Sequence, residues 1–348
     1  MRIGRNPARK AKRIQQHAEV TLATVVYIPF LSGYYEESLD VLKLCLGSLR
    51  EHSDAPYELL VFDNGSCSEV RSFLAEELQE GRIDYLILSK ENLGKAGAWN
   101  IMFPAAPGQI IGFCDSDIFF EPGWLSAHLR ILRAFPNVGM VTGLPIRQQV
   151  NVFTERGLKK AEQHSDIMIE RGDFITEGAM AAYCVGVDRN FVEYQHGVAD
   201  MKDMRLTIGD TSALLGACHF QFIAYKSVLT SFVPFSAKIL LDGSDKVAGS
   251  ESELDRKIED GEFLRLSTSK VYVHHLGNTV TPQWKPWMQR FAPSHLERAS
   301  RDVRPWEQRL SQNRYVRGAL MRLYNYVFRL YNVPTKARAS RAPRARPI

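Results

Sequence analysis

The stretch Ile110-Ile111-Gly112-Phe113-Cys114-Asp115-Ser116-Asp117 joins an apolar run to two carboxylates. The run 110–114 predicts a strand buried on both faces, as the strands of a parallel sheet are. Two acids at the carboxyl end of such a strand repel one another, and burying either without a partner costs roughly several kcal/mol. The natural partner is a divalent cation, which is hard, oxygen-seeking and commonly shared with a substrate phosphate. Open α/β sheets bind ligands at the carboxyl ends of their strands. Asp115 and Asp117 therefore mark a candidate metal–diphosphate site.

Outward from this strand, apolar runs and helical periodicities alternate. Strands are predicted over 22–28, 58–62, 83–88 and 138–142, and helices over 38–49, 68–78, 94–103 and 124–135. Asp63-Asn64-Gly65 ends the second strand with a turn signal. The alternation predicts a mostly parallel sheet, Rossmann-type, flanked by helices. It fails beyond Pro145, so 146–280 reads as a second half of the same domain, with a final strand over 271–273 that runs into His274-His275-Leu276-Gly277.

The chain has 348 residues, 45% of them apolar and 24% charged, as in globular proteins. It has no apolar stretch long enough to span a membrane and no secretory signal. Its five scattered cysteines predict reduced thiols and a cytoplasmic location, with neither a disulfide frame nor a zinc site. The net charge of +5 conceals an asymmetry: residues 1–18 hold six Lys and Arg and no acid, whereas residues 284–348 hold fifteen against three acids. The core between them is acidic, and the ends are basic arms suited to a polyanionic surface. In 315–331, Val316, Leu320, Leu323, Val327 and Leu330 share one helical face and Arg314, Arg322 and Arg329 lie opposite, which predicts a basic amphipathic helix at an anionic membrane surface. The expected organisation is a basic arm (1–20), one α/β domain (21–280, with halves 21–145 and 146–280), a basic amphipathic helical extension (281–333) and a disordered basic tail (334–348).

Four motifs stand in order: Tyr27-Ile28-Pro29, Val61-Phe62-Asp63-Asn64-Gly65-Ser66, Glu91-Asn92-Leu93-Gly94-Lys95-Ala96-Gly97-Ala98-Trp99-Asn100, and Asp115-Ser116-Asp117. Together they resemble the inverting, nucleotide-sugar-dependent glycosyltransferases of family 2, which have the GT-A fold. The likeness is close over 22–145 and looser over 213–278. It implies transfer of a sugar from a nucleotide diphosphate sugar to a saccharide or lipid-linked hydroxyl acceptor, in cell-envelope polysaccharide or glycolipid synthesis, with Mn²⁺ or Mg²⁺ as cofactor and no nucleic acid as partner.

The resemblance gives the residues roles. Pro29, Asp63, Asn92, Gly94, Lys95, Asn100 and Asp115 lie along the donor, with Asp63 reading the nucleobase. Gly94 permits close approach of backbone, and Lys95 supplies positive charge. Asp115, Asp117 and a histidine after the late strand meet the metal; successive strand residues face opposite sides, so one of His274 and His275 points inward, and His275 is the expected ligand. The catalytic base is a carboxylate ahead of a late helix. Aligned on Leu254 and Ile258, that position is Glu251, with Glu253 and Asp245 as alternatives. Two other readings are a nucleotidyltransferase-like enzyme, for which the segment after the first strand is poor in glycine, and a non-catalytic polyanion binder, against which the acidic core argues.

Overall fold

The computed structural model describes residues 16–236 and 250–291, the backbone alone for 250–252, and residues 322, 323 and 326. Residues 1–293 form one compact unit; Arg322, Leu323 and Tyr326, helical and exposed, belong to a second unit over 294–348. The remainder of the predicted amphipathic helix, most of the N-terminal arm and the basic tail lie outside the described residues.

The first half alternates strands and helices: β1 (Val20–Val26), α1 (Ser38–His52), β2 (Tyr57–Asn64), α2 (Ser68–Gln79), β3 (Tyr85–Ser89), α3 (Gly94–Ala105), β4 (Ile110–Asp115), β5 (Ile118–Phe120), α4 (Trp124–Ala134) and β6 (Val138–Thr142). The second half follows with α5 (Glu155–Ala161), β7 (Met168–Gly172), α6 (Glu177–Gly186), α7 (Phe191–Gly197), β8 (Asp203–Ile208), β9 (Thr211–Leu215), β10 (Gln221–Tyr225), α8 (Lys226–Ser231), α9 (Ser250–Asp260), β11 (Leu264–Ser267), β12 (Val273–His275) and α10 (Lys285–Phe291).

Among the described residues the main sheet has ten strands in the order β3-β2-β1-β4-β10-β6-β11-β9-β8-β7, and β12 pairs with β5 in a separate ribbon. The fold is α/β, as the alternation predicts, but the sheet is mixed and not mostly parallel. Strands β3, β2, β1 and β4 are mutually parallel. Beyond them β10 runs antiparallel between β4 and β6, and β7, β8 and β9 pair antiparallel. The reason is connection length: β8 and β9 are joined through Gly209-Asp210, and strands linked by so short a turn cannot be parallel.

Alternate strand residues feed two cores. Leu59, Val61 and Ile110 face α1, α2 and α4, whereas Leu60, Phe62, Ile111 and Phe113 face Trp99, Met102 and Phe103 of α3 and Leu254 and Ile258 of α9. Burial on both faces is what made these runs continuously apolar. Trp284 and Met288, beyond the predicted domain end, pack with Val41 and Leu44 of α1. No helix among the described residues is long and apolar enough to cross a membrane. The cysteines are free thiols.

Candidate active site

The parallel register brings three strand ends level: Asp115 of β4 stands opposite Val25 of β1, and Asp63 of β2 opposite Val26. Asp115 donates its backbone N–H to the carbonyl of Phe220 at 2.8 Å. Its carboxylate meets Lys95, from the first turn of α3, with Nζ 2.8 Å from Oδ1 and 2.9 Å from Oδ2. The ammonium also lies 5.5 Å from the ring centre of Trp99 and 5.4 Å from that of Phe113, so two aromatic faces support it.

Asp117 lies just before β5, which pairs with β12 so that His275 stands opposite Ile118 and His274 opposite Phe119. The two histidines consequently diverge. His274 Nε2 turns to Glu121 at 3.1 Å. His275 Nε2 lies 3.5 Å from Asp117 Oδ2, while its Nδ1 donates to the carbonyl of Gly186, the last residue of α6, at 3.0 Å. Burial, partly offset by His275, pushes the Asp117 carboxyl up to about 6.

Asp117 Oδ1 is buried without a hydrogen-bond partner among the described residues. An orphaned carboxylate oxygen beside an imidazole whose other nitrogen is anchored to a backbone carbonyl suits a divalent cation: the anchor leaves Nε2 with its lone pair toward Asp117. Asp117 and His275 thus fit a metal. Asp115 has Lys95 across both its oxygens, and among the described residues no group of three His, Cys, Asp or Glu side chains is gathered as a complete metal shell.

The remaining predicted donor residues divide. Asp63 is wholly buried; Oδ1 accepts from Ser66 N–H and Oδ2 from Arg71 Nε, each at 3.0 Å. Pro29 borders the same turn, where Ile28 N–H bonds Ser66 Oγ at 3.1 Å. Asn64 and Asn92 tie the 91–94 loop to β2: Asn64 Nδ2 donates to Asn92 Oδ1 at 3.0 Å, and Asn92 Oδ1 accepts Gly94 N–H at 2.8 Å. Gly94 has φ +69°, favoured by glycine, and open space where a Cβ would stand. Asn100 is turned elsewhere, its amide bonded to both backbone groups of Phe235 at 2.6 and 2.9 Å.

Of the base candidates, Asp245 and the Glu251 side chain lie outside the described residues. Glu253 accepts Ser236 N–H at 2.8 Å and pairs with Lys257 at 3.2 Å. Sequence reasoning missed a neighbouring cluster of His219, Asp255 and the buried Arg265. These residues come from three separated segments, and no local pattern announces their meeting. Cys218, next to His219, is a packing group: burial pushes its thiol up to about 12, so it stays protonated.

Residues 32–192 match the family model described as glycosyl transferase family 2. Among curated proteins it is similar to the uncharacterized glycosyltransferase alr2836 of Nostoc sp. strain PCC 7120, 24% identical over 137 residues, or 38% of this chain and 42% of the relative. The chain therefore matches less than half the length of that relative. Among solved structures it is similar to S. aureus TarS 1–349 in complex with UDP, with TM-score 0.41, 13% identity and coverage of 79% of this chain and 64% of that one. A further likeness is to GalNAc-T7 with UDP, GalNAc and Mn²⁺, with TM-score 0.46, 13% identity and coverage of 74% and 43%. At these scores the structural likeness carries no residue-level correspondence.

Proposed function

We propose that this chain transfers a glycosyl group from a nucleotide diphosphate sugar to a saccharide or lipid-linked hydroxyl, with inversion, in cell-envelope polysaccharide or glycolipid assembly. The observation that carries the reading is the meeting of Lys95, Asp115, Asp117 and His275 at strand ends in a region with the family 2 match. Such a group supplies what a departing diphosphate needs: fixed positive charge in a partly dry site. Lys95, steadied by two rings, offers an ammonium to the diphosphate, and Asp115 holds it in place. Asp117 and His275 would hold Mn²⁺ or Mg²⁺, which when bound adds Lewis-acid charge beside the leaving group. Asp63 and Arg71 border the nucleobase end, and the open space at Gly94 leaves room for the donor. The sequence candidate for the base, Glu251, stands at the start of α9.

The reading is tested by thermal denaturation against a panel of uridine and guanosine diphosphate sugars, with and without Mn²⁺. A ligand at about 100 times its dissociation constant adds about 2.7 kcal/mol of stability. No shift with any donor would refute it. The basic residues of 284–348 support a further part of the proposal, attachment to an anionic membrane surface. Equal sedimentation of the full chain and of residues 1–293 with phosphatidylserine vesicles would remove that part.

A further inference from the structure

Outside the candidate site, α4, the turn joining β8 to β9 and the segment joining β11 to β12 form a cavity of about 390 Å³. None of the donor, metal or base candidates lines it. Its volume is that of a small-ligand site, but such sites are mostly apolar, whereas this one is walled chiefly by hydroxyls and charged groups. Two carboxylates, Asp54 and Asp210, share it with two cations, Arg130 and Lys270. The carboxylates are engaged by neutral donors: Asp54 Oδ1 accepts the Ser126 N–H at 3.0 Å, and Asp210 Oδ1 accepts from the Thr211 hydroxyl at 3.2 Å. The cations are exposed and make no ion pair among the described residues.

The aromatic member of the lining is Tyr272, half-buried and held at its backbone on both sides: its N–H donates to the carbonyl of Gly143 and its carbonyl accepts the Glu121 N–H, each at 2.8 Å. Gly123, just ahead of α4, has φ +81°, and a Cβ there would stand 4.0 Å from the Tyr272 ring. The glycine that this backbone favours therefore also leaves the ring bare on that side. The Tyr272 hydroxyl makes no hydrogen bond among the described residues. An aromatic ring among carboxylates, cations and hydroxyls of balanced charge matches a neutral saccharide. Its C–H face can lie on the ring, while its hydroxyls donate to the carboxylates and accept from the cations. A phosphate would also meet the two carboxylates, and an apolar ligand would take four charges out of water.

The ribbon of β5 and β12 links this cavity with the chemistry. At one end His275 stands opposite Ile118, the neighbour of Asp117; at the other, just before Val273, Tyr272 bonds Glu121. The three residues of strand from His275 to Tyr272 span about 10 Å, the reach of an oligosaccharide and more than that of one sugar. We propose that the cavity is a saccharide subsite, which holds a neutral oligosaccharide by units remote from the one that reacts. Tyr272 is its stacking face, and Asp54, Asp210, Arg130 and Lys270 are its hydrogen-bonding rim. The subsite assigns the acceptor to the oligosaccharides; this deepens the glycosyl-transfer reading above and rests on it.

The test uses the full chain and a panel of neutral hexasaccharides of glucose, galactose, mannose and N-acetylglucosamine, with inorganic phosphate as a further probe. Binding is followed by calorimetry and saturation-transfer NMR without any donor, and affinity for the uridine and guanosine diphosphate sugars is measured separately. At least one hexasaccharide is expected to bind the wild type. Tyr272→Ala, which removes the ring, and Ser126→Trp, which fills the cavity, are each expected to weaken it by about tenfold or more. Tyr272→Phe is expected to stay within about threefold, because the stacking face remains. Affinity for the nucleotide sugars should change by less than about twofold in all three variants. The subsite is overturned if no hexasaccharide binds, or if binding survives both Tyr272→Ala and Ser126→Trp unchanged. Binding of phosphate alone, lost in Arg130→Ala, would mark an anion site and overturn it as well. If the wild type binds hexasaccharides but none of the nucleotide sugars, it is the transfer reading that fails. Ser126 is exposed on α4, so its variant keeps the experiment decisive even where Tyr272→Ala does not fold.

Discussion

Replacing Lys95 by Met removes one charge and keeps the side-chain stem over Trp99 and Phe113. At 2.8 Å the attraction between Lys95 and Asp115 is about 6 kcal/mol before desolvation, taking an effective dielectric constant of about 20. The side chains are 15% and 27% exposed, so both lost hydration on folding and most of that attraction is offset. The net coupling should be about 2 kcal/mol, between the values for exposed and buried pairs. A double-mutant cycle isolates it: Lys95→Met and Asp115→Asn singly and together, each followed by urea denaturation. For a unit of this size, 2 kcal/mol lowers Tm by about 3 °C in Lys95→Met. The variant should also lose about tenfold in nucleoside diphosphate affinity, or about 1.4 kcal/mol, if the ammonium serves the diphosphate. A coupling below about 0.5 kcal/mol with undiminished nucleotide affinity would refute the reasoning, because the pair would then be neither a structural clamp nor a ligand site.

Three further outcomes follow from the geometry. His275→Ala should abolish the Mn²⁺-dependent part of nucleotide binding in calorimetry, whereas His274→Ala, whose ring is turned to Glu121, should leave it intact; equal effects would contradict the divergence of the two rings. Gly186→Ala would put a Cβ 2.7 Å from the Cβ of His275 and 2.9 Å from its carbonyl oxygen. It should cost about 1–3 kcal/mol and weaken Mn²⁺ binding as well, and retention of both stability and metal affinity would show that α6 does not anchor this histidine. Burial pushes the His128 imidazole down to about 4, against 6.5 ordinarily, so the unfolded chain takes up this proton first as pH falls. Its contribution is fully present above about pH 6.5 and is lost toward pH 4, by about 3 kcal/mol in all; denaturation of wild type and His128→Asn at intervals over that range should diverge accordingly, and parallel curves would contradict it.

The first half was legible because its strands are buried on both faces and its helices show a single apolar face, so local composition carries the pattern. Element ends moved by a few residues: the second strand extends over Tyr57–Asn64 where 58–62 was expected. Short pieces escaped detection. Ile118–Phe120 looks like the continuation of the preceding apolar run, and Leu264–Ser267 contains Arg265, which reads as a surface residue until its buried partner Asp255 is found. The late strand was expected at 271–273 and stands at Val273–His275, which brings the histidines into the ribbon itself. Asn100, expected along the donor, instead fastens α3 to Phe235, a contact 135 residues away in sequence.

The amino-acid sequence by itself determined that this chain folds as α/β, with acids at strand ends and basic termini, because periodicity, turn residues and charge are local properties. Only the tertiary structure decided that the sheet is mixed, that Lys95 clamps Asp115, that His275 faces Asp117 while His274 turns away, and that His219 meets Asp255. Each of these depends on strand order and on distances between residues far apart in the chain, which register and packing set and no local pattern encodes.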